Sequence, residues 1–206
     1  MCGIVGGVTN KNITPLLLEG LIRLEYRGYD SSGLIVLSPQ NSFDRARSVG
    51  KVSNLEKNLK LRSKKIIGNI GIAHTRWATH GEPSSLNAHP HISKDTVSVV
   101  HNGIIENYIE LKNNQTKQGY RFKSETDTEV LVQLIGYFYN NSEMNFEQSV
   151  RAALHRVDGA YGIVILNTDY PDMMIAARKG SPLVVGIKEN EFFIASDISP
   201  IVKHTK

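Results

Sequence analysis

Two periodicities run through the chain: apolar residues alternate at every second position in short segments and recur at helical spacing in longer ones. Cys2–Val8 reads as a strand in which Gly3, Gly6 and Gly7 permit close backbone approach. Asn12 and Thr14 with Pro15 mark a helix start, and Leu16, Leu17, Gly20, Leu21 and Leu24 supply its inner face until a stop near Arg27-Gly28. Ser32–Leu37 is a second strand, closed by the turn Ser38-Pro39-Gln40-Asn41, and another runs near Arg45–Val49. A polar helix from Ser53 to Leu61 precedes Ile70-Gly71-Ile72-Ala73-His74, which alternates at period two.

The second half carries more helix. Val97–Val100 is a strand, Ile104–Gln118 reads as a helix stopped by Gly119, and Thr128–Tyr139 as a strongly apolar one. Asn145 with Gln148 forms a capping box for a helix to about His155. After Asp158-Gly159 come four short β-rich runs, Tyr161–Leu166, Met173–Ala177, Leu183–Ile187 and Phe192–Ala195, spaced as antiparallel hairpins. The fold class is α+β in layers rather than strict βαβ alternation, organised as one domain over residues 1–206 without repeats or linkers. Phe193-Ile194-Ala195-Ser196-Asp197 is core-forming sequence close to the final residue, so the natural polypeptide is expected to continue downstream.

Composition narrows the class of protein. A chain of 206 residues is long enough to bury a core without staples. A single cysteine excludes an intramolecular disulfide and fits a reducing compartment, so a cytoplasmic location is expected. No basic leader precedes an apolar stretch and no apolar run approaches about 18 residues, so neither a signal peptide nor a membrane span is predicted. The formal charge of +4 is a mild bias that suits an anionic substrate. Arg45, Arg47, Lys57, Lys60, Arg62, Lys64 and Lys65 cluster, but without interleaved aromatics they read as a solvated face and not as a nucleic-acid surface.

The candidate chemistry begins at Cys2, directly behind Met1. With Met1 removed, thiol and α-amine share one residue, a nucleophile with a base built in; the alternative is a small buried hydrophobe in a first strand. Arg76, in His74-Thr75-Arg76-Trp77-Ala78-Thr79-His80-Gly81, is either a fork for a carboxylate or half of a loop-stabilising ion pair, and Trp77 is either functional or core. His80, His89, His91 and His101 lack the helical pair spacing of metal ligands, and no metal or other cofactor is expected. Asn102-Gly103 is either an oxyanion hole or a tight turn. Asp127 is a helix N-terminal residue, a partner for a substrate ammonium, or both. Together these residues describe a receptor for an α-amino acid bearing an amide: Arg76 on the carboxylate, Asp127 on the ammonium, Asn102 and Gly103 on the amide oxygen after attack by Cys2.

The same residues carry a family likeness. Cys2-Gly3-Ile4-Val5-Gly6, Leu24-Glu25-Tyr26-Arg27-Gly28-Tyr29-Asp30-Ser31 and His74-Thr75-Arg76-Trp77-Ala78-Thr79-His80-Gly81 closely resemble the glutaminase domains of glucosamine-6-phosphate synthases. So do Asn87-Ala88-His89-Pro90-His91, Val100-His101-Asn102-Gly103-Ile104-Ile105-Glu106-Asn107 and Ser124-Glu125-Thr126-Asp127-Thr128-Glu129. The likeness continues through Gly159-Ala160-Tyr161-Gly162 to Ile194-Ala195-Ser196-Asp197.

This resemblance implies an N-terminal-nucleophile glutamine amidotransferase with a four-layer αββα sandwich. It implies that Cys2 attacks the glutamine side-chain amide with its α-amine as proton shuttle, and that Asn102 and Gly103 form the oxyanion hole. Arg27 would orient the nucleophile's surroundings, Arg76 and Asp127 would clamp L-glutamine, and Trp77, Thr79 and His80 would belong to the loop that closes over it. The ammonia would aminate fructose 6-phosphate in a sugar-isomerising domain absent from this chain. The glutaminase domain itself would be C-terminally incomplete and the full-length enzyme a homo-oligomer. Amidophosphoribosyltransferases, asparagine synthetases and glutamate synthases share the Cys-Gly-Ile start and the Asn-Gly element. An inactive regulatory or partner-binding domain of the same fold is the reading that a retained Met1 would favour.

Overall fold

The computed structural model describes residues 2–78 and 81–205. The first half contributes strands β1 (Gly3–Val8), β2 (Ser31–Leu37), β3 (Phe43–Val49) and β4 (Ile70–Arg76), with helices α1 (Thr14–Leu24) and α2 (Val52–Leu61). A short strand β5 (His91–Ser93) and the long β6 (Val97–Ile105) lead into α3 (Tyr108–Lys117), α4 (Asp127–Asn141) and α5 (Phe146–Leu154). The chain then forms β7 (Gly159–Asn167), β8 (Met174–Lys179), β9 (Val184–Lys188) and β10 (Glu191–Ala195).

Six strands form one sheet in the order β3-β2-β4-β1-β10-β9, and four form a second in the order β5-β6-β7-β8. Every pairing between neighbouring strands in the two sheets is antiparallel. Period two sorts their side chains into cores on either side of each sheet. On the outer face of the first sheet Val5, Leu34, Val36 and Ala73 pack with Leu17, Leu21 and Leu24 of α1 and with Val52 and Leu55 of α2. Their neighbours Ile4, Ile35 and Ile72 face the second sheet and meet Val100, Val164 and Leu166. On the far side Val97, Val99, Ile163 and Ile165 pack with Val130, Leu131 and Ile135 of α4 and Phe146 and Val150 of α5. Strands buried on both faces make four layers, helix–sheet–sheet–helix, as the expected αββα sandwich requires.

Several boundaries differ from the sequence expectation. The segment expected to open a helix at Ile104 instead completes β6, because this strand pairs with β7 residue by residue from Val97↔Asn167 to Ile105↔Gly159. Asn102-Gly103 therefore lies inside a ladder, opposite Gly162 and Tyr161, and is not a turn. Helix α3 begins only at Tyr108. Strand β5 escaped the pattern because three residues are too short to show a period. The capping box of α5 is present as expected, with Asn145 and Gln148 satisfying each other's backbone N–H. No helix among the described residues is long and apolar enough to cross a membrane.

This topology sets the stage for the site. β1 and β4 run antiparallel with Gly3 opposite Thr75, which brings the start of the chain beside Arg76 and Trp77. β6 passes beneath them in the second sheet.

Candidate active site

Cys2 is half-buried where β1 begins. The Trp77 backbone N–H donates to its Sγ at 3.2 Å, and the thiol lies 3.5 Å from the Trp77 carbonyl. Burial pushes the thiol pKa up; the Trp77 hydrogen bond and the Arg76 charge pull it back, while Asp30 raises it further. Cys2 thus rests as a thiol at neutral pH and needs a base to become a nucleophile. Met1 lies outside the described residues.

Asn102 approaches from the second sheet. Its Nδ2 donates to the Cys2 carbonyl at 3.0 Å, and its Oδ1 lies 3.0 Å from His74 Nε2. The same Nε2 is 2.9 Å from the His101 carbonyl, which can only accept, so Nε2 carries the proton and the Asn102 amide is held with its NH2 toward Cys2. Burial lowers the His74 pKa to about 3, against the opposing pull of its two hydrogen bonds, so the ring is neutral. Gly103 follows with φ +135°, and a Cβ there would collide with the Ala160 carbonyl of the paired strand. Glycine is what lets the ladder continue past Asn102.

Arg76 is buried and already engaged. Its guanidinium donates to the Gly81 carbonyl at 2.9 Å and the Glu82 carbonyl at 3.3 Å, and faces Asp30 at 3.6 Å. Asn87 fastens the same segment from the other side, donating to Glu82 O at 2.9 Å and Glu125 Oε2 at 3.0 Å. These are loop-stabilising contacts, the second of the two readings of Arg76, with Asp30 as the facing carboxylate. Trp77 is 48% exposed and packs edge-on to Tyr29 at 5.6 Å, so it is not a core residue. Thr79 and His80 lie outside the described residues.

Asp127 is the first residue of α4 and is buried, accepting from the Ile105 N–H at 2.9 Å. His101 Nδ1 stands 3.9 Å from the same oxygen. Asp127 is therefore a helix N-terminal carboxylate that also ties the end of β6 to α4. Arg27 Nη1 reaches Asp197 Oδ2 at 3.0 Å and the Ser196 carbonyl at 3.3 Å. Ser196 in turn exchanges two 3.0 Å hydrogen bonds with Ile4, two residues from the nucleophile. Arg27 is thus linked through Ser196 to Ile4, near the start of β1.

Behind the site lies a feature that sequence reasoning left without a role. His74 stacks on His89 at 4.2 Å, and His89 meets His91 edge-on at 4.7 Å. His89 and His101 share the Thr128 hydroxyl at 2.8 and 3.0 Å, and His91 bonds Thr126 at 3.0 Å. Among the described residues no group of three or more His, Cys, Asp or Glu is placed to hold a metal. His74, Asp30, Asn87 and Ser196 were given no role from the sequence, although each falls within a segment that carries the family likeness. Period two also places His74 on the same strand face as Arg76.

A cysteine at the head of a central strand, in an αββα stack, is the arrangement of the class II, N-terminal-nucleophile amidotransferase fold. The chain matches the glutamine phosphoribosylpyrophosphate amidotransferase of B. subtilis with a TM-score of 0.83 at 24% identity, over 98% of this chain and 43% of that one. A glutamine aminotransferase class-II domain protein from Silicibacter pomeroyi matches at TM-score 0.60 and 13% identity, over 95% and 88%. A model of the glutamine amidotransferase domain family matches residues 74–203, and the chain belongs to that family of enzymes. It is 53% identical over 206 residues to glutamine--fructose-6-phosphate aminotransferase [isomerizing] of Bacteroides thetaiotaomicron, covering 100% of this chain and 33% of that protein. The Chlorobaculum tepidum protein of the same name is 52% identical over 208 residues, covering 100% and 34%. The chain thus spans about a third of the length of the curated relatives it matches.

Proposed function

We propose that this domain hydrolyses the side-chain amide of L-glutamine to glutamate and ammonia through a thioester on Cys2. The observation that carries this reading is the Asn102 amide, turned by His74 so that its NH2 points at the nucleophilic residue. With Met1 removed, the Cys2 α-amine takes the thiol proton, which the raised thiol pKa makes necessary. Sulfur then attacks the amide carbon, and the carbonyl oxygen gains charge that Asn102 Nδ2–H and the Gly103 N–H stabilise. Collapse breaks the C–N bond, the leaving nitrogen takes the proton back from the α-ammonium, and ammonia departs. Water, deprotonated by the same amine, cleaves the thioester to glutamate and restores the thiol.

Arg76 holds the substrate α-carboxylate and Asp127 the α-ammonium, while Trp77, Thr79 and His80 form the loop over the bound amino acid. Arg27 keeps the start of β1 in place through Ser196. In the whole protein the ammonia aminates fructose 6-phosphate to glucosamine 6-phosphate in a following sugar-isomerising domain of a homo-oligomer, a reading supported by the relatives' shared name. A closed passage between the two domains would keep ammonia from being protonated and lost.

The test is incubation with glutamine, with and without fructose 6-phosphate, measuring glutamate, ammonia and amino sugar separately. Glutamate and ammonia in equal amounts, without amino sugar, are expected from this chain. No glutamate from protein shown by mass to begin at Cys2 would overturn the reading.

A further inference from the structure

The basic stretch that the sequence presents as a single solvated face divides in two. Lys60 pairs with Glu56 at 2.7 Å and Lys64 with Asp44 at 3.4 Å, and both amines are largely exposed. Arg45 and Arg47 turn the other way. Ala46 between them belongs to the helix-side core, so period two directs both arginines off the opposite face of β3. Arg45 Nη1 donates to the Pro90 carbonyl at 3.1 Å. Arg47 Nη1 donates to the Ala88 and Leu86 carbonyls at 2.9 and 3.2 Å.

Those are backbone partners only. Among the described residues neither arginine has a carboxylate within ion-pair distance, and Nε and Nη2 of both guanidiniums donate to no protein atom. The two line a cavity of about 250 Å³, at whose mouth stand the exposed Lys94, Arg121 and Lys123. Five cations there face two carboxylates, Asp95 and Glu129. The Glu129 carboxylate is occupied, accepting from the Lys123 and Ser124 backbone N–H groups and the Ser124 hydroxyl. Burial first, and then the neighbouring Arg45, lowers the Arg47 pKa to about 10, with Glu129 opposing only in part.

We propose that this cavity binds a small phosphate-bearing anion, with Arg45 and Arg47 at its back and Arg121 and Lys123 closing over it. A guanidinium fork matches two phosphate oxygens at once, and the excess of cations calls for a multiply charged ligand. Nothing in the glutaminase chemistry uses these side chains, so this site and that reading stand or fall separately.

The experiment is calorimetric titration of the protein with inorganic phosphate, pyrophosphate and fructose 6-phosphate, at constant ionic strength set by chloride. Saturable binding of one anion per chain is expected, with pyrophosphate perturbing the Arg45 and Arg47 Nε–H resonances. The rim variant Arg121→Glu/Lys123→Glu should bind roughly tenfold more weakly or worse while its circular dichroism is unchanged. Lys57→Glu/Lys60→Glu on the outer face of α2 should bind as wild type. Fructose 6-phosphate binding more tightly than phosphate would assign the site to a phosphate ester, and equal binding to the bare phosphate group. Heat that follows ionic strength alone, or equal affinity in the rim variant, would overturn the proposal.

Discussion

His74 Nε2 lies 3.0 Å from Asn102 Oδ1, and that single contact sets which way the Asn102 amide faces. The amide spans two sheets, accepting from β4 and donating to the Cys2 carbonyl at the head of β1. His74 is thus a positioning residue: it touches no substrate atom in the proposed mechanism, yet decides where the proposed oxyanion donor points.

For Asn102→Ala we expect a loss of about 3 kcal/mol in kcat/KM, of the order seen when one oxyanion donor is removed. His74→Ala should lower kcat by less, roughly 1–2 kcal/mol, leaving KM for glutamine near wild type, because the donor is misaligned and not lost. The double variant should be little worse than Asn102→Ala alone. Steady-state kinetics on the four proteins checks this, and additive losses would separate the two residues.

Cys2→Ala should abolish glutamate release while glutamine still binds, since the proposed grip belongs to Arg76 and Asp127. Intact-mass measurement of active protein should show that it begins at Cys2. Turnover by protein still carrying Met1 would remove the α-amine from the mechanism.

The buried imidazoles predict an acid-sensitive fold. Burial lowers the His74 pKa to about 3 and holds His89 and His91 well below their ordinary value, with Arg47 and Arg45 repelling a proton on His91. In the unfolded chain each protonates near pH 6.5, so below that the unfolded state binds more protons and stability falls as pH falls. Each neutral ring contributes about 1.4 kcal/mol per pH unit once its unfolded counterpart is fully protonated. Urea titrations between about pH 7.5 and pH 5 should show stability level at the upper end and falling below about pH 6.5. A level profile throughout would mean that these rings take up protons in the folded state.

Gly103→Ala is expected to destabilise the protein by about 1–3 kcal/mol, because it adds a side chain at positive φ. The new Cβ also meets the Ala160 carbonyl, so the register of β6 on β7 must give beside Asn102. Urea midpoints and kcat should fall together. A fall in stability with unchanged kcat would make Gly103 a purely structural residue.

Local patterns carried much of the fold. The apolar runs of β1 and β2, the alternation in β4, the Pro15 start of α1 and the Asn145–Gln148 cap are all local patterns, and each element appears about where its pattern placed it. Residue chemistry likewise singled out Cys2, Arg76 and Asn102, which the fold gathers at the facing parts of β1, β4 and β6. What failed locally was Asn102-Gly103-Ile104, whose sequence suits a turn and a helix start. Nine residue pairs with β7 overrule that preference, and a ladder partner some 60 positions downstream leaves no mark in a local window.

The same holds for the supporting residues. His74 reaches Asn102 across 28 positions, Asn87 reaches Glu125 across 38, and Ser196 reaches Ile4 across 192. Periodicity tells which face a side chain occupies but not what stands opposite that face. Composition and spacing therefore named a thiol, an arginine fork and an amide, and nearest-neighbour physics shaped the strands and helices that hold them. Sheet-on-sheet packing did the rest: it turned the amide toward Cys2, stacked the histidines dry and neutral, and aimed Arg45 and Arg47 inward while leaving Lys60 and Lys64 in water. Those outcomes depend on contacts between segments far apart in the chain, which exist only once both sheets have closed on one another.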